Sequence, residues 1–208
     1  VKDLPSGLFE TNDALGLTVL LPGNTTVQAL GRYSTEVFLG RRFATSGGLV
    51  QVLSQMTKAL YVRGLYFRGG SIRYVAEPYQ GFGNRVTGGL TFKPSERFDL
   101  TGSLTYSDFT RSSTGEREYA YAIWRGRLTY QINKYLFVRG VAEYNAFRKE
   151  MLTDLLASFT YIPGTVIQLG YGSLYDKTEW VDGAYRDAGR FLEMKRGLFF
   201  KASYLWRL

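Results

Sequence analysis

Tyr135-Leu136-Phe137-Val138-Arg139-Gly140-Val141-Ala142-Glu143-Tyr144-Asn145-Ala146-Phe147 decides the fold. Leu136, Val138, Gly140, Ala142, Tyr144 and Ala146 fall on one side of an extended chain. Phe137, Arg139, Val141, Glu143 and Asn145 fall on the other. A period of two is that of a β-strand. The run exceeds the roughly 5–6 residues usual for a strand. It reaches the roughly 9–11 residues that a tilted strand needs to cross a bilayer.

The same alternation predicts eleven strands, over residues 14–22, 26–39, 48–56, 59–69, 84–94, 97–109, 118–132, 135–147, 151–162, 165–176 and 195–208. Short connections rich in turn formers (Pro22-Gly23-Asn24-Thr25, Met56-Thr57-Lys58, Asn133-Lys134, Ile162-Pro163-Gly164) alternate with longer ones at 40–47, 70–83, 110–117 and 176–194. Tight turns on one side and long loops on the other are the arrangement of an outer-membrane barrel. The expected fold is therefore all-β, an antiparallel up-and-down transmembrane β-barrel with 11–12 strands in this chain. Residues 14–208 form its strands, and 1–13 are a short strand or a link to upstream chain.

The uncharged side of each strand is expected to face lipid: Leu15, Leu17, Val19 and Leu21; Val27, Ala29, Gly31 and Tyr33; Trp124 and Leu128; Leu155 and Phe159; Leu169 and Tyr171; Leu198 and Phe200. An outward Arg or Lys at mid-bilayer costs about 2–4 kcal/mol. The exception is Arg68, expected outward near a strand end. Strand 48–56 is ambiguous, because Leu49 and Leu53 oppose Val50 and Val52 and neither side is clearly apolar. The other side carries the expected lumen-lining residues Arg32, Glu36, Arg63, Arg85, Arg125, Arg127, Arg139, Glu143, Asp154 and Lys201, with Lys93 and Asp99 beside them.

Composition narrows the chemistry. The chain has 26 Lys and Arg, 18 Asp and Glu, and neither Cys nor His. Thiolate and imidazole metal sites, disulfides and a His-based catalytic site are excluded. No paired carboxylates or Ser/Lys pairing emerge, so no enzyme, catalytic residue, metal or cofactor is expected. Glu116 and Glu118 read as solvated. The basic residues are dispersed singly along strands, which argues against nucleic acid as a partner. Val1-Lys2-Asp3-Leu4-Pro5 lacks an apolar signal-peptide core, so the expectation is a processed chain or a fragment. Eleven spanning strands break the even count of bacterial barrels. Either residues 5–11 add a twelfth strand through an Asn12-Asp13 turn, or the barrel is incomplete; we favour the second.

Lys201, Ser203, Tyr204, Trp206 and Leu208, at the chain end, resemble the C-terminal assembly signal of bacterial outer-membrane barrels. Across Phe137 to Leu208, the segments Thr153-Asp154-Leu155-Leu156, Tyr161-Ile162-Pro163-Gly164-Thr165 and Leu169-Gly170-Tyr171-Gly172 and the closing Phe199 to Leu208 carry a wider resemblance. They resemble a family of large outer-membrane proteins of unknown function, in which a carbohydrate-binding-module-like domain precedes a C-terminal barrel. These resemblances imply a bacterial outer-membrane location, recognition by the barrel-assembly machinery, outer-membrane lipid as surroundings and envelope proteins as partners. They imply no catalytic residues.

The expected function is a narrow, porin-like passive channel for small solutes, leaning to anions because the lumen face is basic. A non-conducting anchor or interaction subunit of an envelope assembly is the alternative, and salt-bridged polar filling is the plainer role for the charged face. Asp176, Glu179, Trp180, Asp182, Tyr185, Asp187, Arg190 and Glu193 are expected on a mobile surface loop, with sugar or calcium binding the weaker reading.

Overall fold

The computed structural model describes residues 5–162 and 164–205. None of them is helical. The strands are β1 (Thr11–Leu21), β2 (Thr25–Phe38), β3 (Arg41–Ala44), β4 (Gly47–Gln55), β5 (Leu60–Arg73), β6 (Tyr79–Ser95), β7 (Phe98–Arg111), β8 (Arg117–Gln131), β9 (Leu136–Asn145), β10 (Glu150–Ile162), β11 (Thr165–Val181) and β12 (Ala184–Ser203). They form one antiparallel sheet in chain order, with the short β3 pairing β2 off the main path. The path runs from β1 to β12.

The chain resolves into two compact units. One contains the chain up to Thr57, Tyr61–Gly89 and Leu104–Ala122. The other contains Lys58–Leu60, Leu90–Ser103 and Ile123–Leu208.

Register shows how the alternation is used in each unit. In the second unit, Tyr130, Val138, Ala157, Leu169 and Phe200 are successive partners across β8 to β12. Leu128, Gly140, Leu155, Tyr171 and Leu198 form the adjacent row on that face. Leu155 is 55% exposed and Phe200 67%. In the first unit, Leu17, Ala29, Val50 and Tyr66 form one such row, and Val19, Val27, Val52 and Gly64 another. Leu15 is 83% exposed. The ambiguity of strand 48–56 is thereby resolved: Val50 and Val52 join the exposed apolar face, and Leu49, Gln51 and Leu53 the opposite one. Arg68 does lie on the apolar face, in register with Gly48, and its guanidinium stands 5.6 Å from the Phe82 ring centroid.

Three sequence expectations are corrected. Asn12 and Asp13 do not turn the chain; they pair with Ser34 and Tyr33 inside β1, which starts at Thr11 rather than 14. Much of the 40–47 and 70–83 connections is strand, as β3 and as extensions of β5 and β6. The 176–194 segment is a β-hairpin rather than a loop, with β11 and β12 running 17 and 20 residues. Its crest is Asp182-Gly183, at φ 51° and 80°. An Asp-Gly pair with positive φ at both places is the type I′ signature that matches strand twist. Glu179 faces Arg186, and Trp180 packs edge-on against Tyr185 at 4.8 Å.

Candidate functional site

Seen along β2, the charged face of the first unit alternates polar and apolar rows. Ala14, Arg32, Gly47 and Gly69 are successive partners across β1, β2, β4 and β5. The next row is Gly16, Leu30, Leu49 and Phe67, and the next Thr18, Gln28, Gln51 and Leu65. Glycine at 47 and 69 is required by close packing. A Cβ at 47 would stand 2.8 Å from the Gly69 Cα and 2.9 Å from Phe67 Cε2; one at 69 would stand 2.6 Å from Phe67 Cζ. The Phe67 ring leans over this glycine pair, and the positions facing Arg32 on β4 and β5 are left without side chains.

A cavity of about 1110 Å³ lies within this unit. Arg32, Arg85, Glu10, Glu36 and Tyr74 line it, with an apolar part formed by Leu30, Leu49, Leu65 and Phe67. The carboxylates are engaged. Glu36 Oε1 accepts from the Tyr74 hydroxyl at 2.8 Å, and Glu10 Oε1 accepts from the Val37 N–H at 2.9 Å. Partial desolvation of Tyr74, which packs edge-on against Phe38, and its bond to Glu36 push the Tyr74 hydroxyl up to about 12. The arginines are freer. Arg32 Nη2 reaches the Thr45 carbonyl at 3.4 Å, and neither Arg32 nor Arg85 pairs with a carboxylate among the described residues.

Of the other expected lumen residues, Arg63 also belongs to this unit, in register with Leu53 and packed along Gly89. Toward the loop end of the same face, Arg111 stands 3.9 Å from the Tyr79 ring centroid and pairs with Glu118 at 2.9 Å; Glu118 is thus engaged rather than merely solvated. Phe109 stacks on Tyr119, and Arg73 lies 5.7 Å from the Tyr119 ring centroid. Nothing in the sequence pattern signals this arginine–aromatic stack, because its members come from four strands, β5 to β8, and two of the expected loops.

The charged face of the second unit differs. Arg125 pairs with Glu143 at 3.3 Å and Arg139 with Asp154 at 3.4 Å. Half-exposed pairs of this kind contribute about 0–1 kcal/mol each. Arg127 is in register with Val141, and Lys201 with Gln168. Of the expected assembly signal, Lys201 and Ser203 end β12 and Tyr204 follows it; Trp206 and Leu208 lie outside the described residues. No group of three or more Asp or Glu residues among those described could hold a metal ion.

No family model, curated protein or solved structure matches the chain.

Proposed function

We propose that this chain is an integral β-barrel protein of the bacterial outer membrane that serves as a narrow, anion-leaning conduit for small solutes. The observation that carries the proposal is the segregation of the two faces: cross-strand rows are apolar and largely exposed, while Arg32, Arg63, Arg125, Arg127 and Arg139 stand on the opposite face, with Arg68 the exception near a strand end. Exposed apolar patches on soluble monomers rarely exceed a few hundred Å². Acyl chains are the surroundings in which Leu155, Leu169, Leu198 and Phe200 need no cover. Strand lengths agree with this, since β2, β5 and β7 have 14 residues each, more than a tilted crossing requires. Arg32, Arg63 and Arg85 supply the positive potential on the other face.

Two measurements test the proposal. Membranes washed with carbonate should retain the protein until detergent is added; release into the aqueous phase would rule out integral insertion. In planar bilayers under a salt gradient, folded protein should give discrete conductance steps with a reversal potential on the anion side. Folded protein without steps would favour the anchor role, which the filling of the charged face by Arg125–Glu143, Arg139–Asp154 and the Tyr79–Phe109–Tyr119 stack also supports.

A further inference from the structure

The cavity of the first unit is more specific than a polar passage requires. It joins two cations that have no carboxylate partner among the described residues to an apolar surface built from three strands. We propose that this cavity is a binding site for a compact amphipathic organic anion, its acid group held by Arg32 and Arg85 and its apolar body laid on Leu30, Leu49, Leu65 and Phe67. This deepens the conduit proposal and rests on it, in that the charged face must be open to solutes.

The choice of an anion follows from which groups are already occupied. Glu36 and Glu10 hold the Tyr74 hydroxyl and the Val37 N–H, so the negative groups of the lining have donors. Arg32 has a single long contact to a carbonyl, and a guanidinium offers five donors in a planar fork suited to a carboxylate. Glu36 also stands apart from Arg32. Glu36 is four residues from Arg32 along β2, about 13 Å at ~3.3 Å per residue.

The apolar part sits on the other side of the arginine. Leu30 follows two residues further along β2, in register with Leu49 and through it with Phe67; Leu65 is one row beyond. Head and body are therefore about 7–13 Å apart along the strands. That separation suits a fused-ring or short-chain carboxylate and is too short for a long fatty acid to lie extended. The Phe67 ring fills the space over the glycines at 47 and 69, the register partners that face Arg32, and so carries the apolar surface of the cavity up beside the guanidinium.

Naphthoate tests the proposal. The full chain in detergent is titrated calorimetrically with naphthoate and with the uncharged naphthamide, detergent being matched on both sides. One saturable site is expected, with naphthamide weaker by about tenfold or more, the scale of a lost charge-assisted hydrogen bond. Arg32→Gln and Arg85→Gln should each weaken naphthoate by a similar factor while leaving naphthamide unchanged. Leu49→Gln should weaken both compounds. Equal affinity for the two compounds would overturn the proposal, as would Arg32→Gln and Arg85→Gln proteins of wild-type affinity. Absence of saturable binding by protein with strand-rich circular dichroism would overturn it too. Failure here is separable from failure of the conduit: a protein that conducts but binds no naphthoate refutes the site alone, and one that binds naphthoate and never conducts refutes the conduit alone.

Discussion

The Phe199 ring on β12 lies across the backbone of Gly170, its register partner on β11, so closely that a Cβ at 170 would fall within the ring. The aromatic side chain covers backbone that glycine leaves bare, a device that also pins register between neighbouring strands. Gly170→Ala should therefore destabilise the protein by about 1–3 kcal/mol through overpacking. Combined with Phe199→Ala, the same change should cost less than the two single effects together, because the obstructing ring is gone. Urea unfolding of the four proteins in lipid vesicles reads this coupling, and strict additivity would contradict it.

Leu155 distinguishes a lipid-facing side from a watery one. It is 55% exposed and lies between Gly140 and Tyr171 on the apolar face. In water, an arginine at so open a position would be nearly neutral. In a bilayer, Leu155→Arg should cost about 2–4 kcal/mol near the midplane. Equilibrium folding into vesicles, with Arg127→Leu on the opposite face as a control, provides the comparison.

Tyr74 should titrate late. Its hydroxyl is raised from 10.0 to about 12 by desolvation and by the bond to Glu36. A group whose folded value is raised stabilises the fold fully below its unfolded value. That stabilisation fades as pH climbs from about 10 to about 12. The phenolate absorbance lost in Tyr74→Phe isolates this residue, and Glu36→Gln should move its midpoint down toward the ordinary value.

The β11–β12 hairpin should be latched to the β9–β10 turn by charge. Lys149 Nζ lies 2.9 Å from Asp187 Oδ2, and Phe191 packs edge-on against Tyr144. The Lys149 ammonium and the Gly189 N–H hold the Asp187 carboxyl below its ordinary 3.8. Its contribution is present above that ordinary value and is lost only as pH falls through the lower, folded one. Hydrogen exchange of residues 178–187 should therefore stay slow in mild acid and quicken under strong acid. In Asp187→Asn it should be faster already at neutral pH.

How much of this was legible in the chain follows from what two-residue periodicity can express. Alternation located eleven of the twelve strands, missing the short β3, and sorted most of their faces, down to Arg68 on the apolar side. It was silent where a strand is mixed, as at Leu49 and Val50, because only pairing with Ala29 and Tyr66 settles which side is which. It also misjudged the 176–194 segment. The carboxylates there suggested a loop, although Asp182-Gly183 between Trp180 and Tyr185 is the shortest-range hairpin signal a sequence offers. The cavity was half legible: Arg32, Glu36 and Arg85 were expected on one face, but its apolar part needs the side-by-side placement of Leu30, Leu49 and Phe67. Glu10 and Tyr74 were missed because both lie outside the expected strands.

The two-residue crest of the long hairpin bears on how the protein meets other macromolecules. A protease must draw an unpaired stretch of chain into its cleft, and nicking concentrates at exposed tips. Between Thr178 and Asp187 the backbone is already committed to a ladder, leaving only Asp182 and Gly183 slack. A paired segment of this kind should resist trimming, and it carries the Trp180–Tyr185 pair beside its crest.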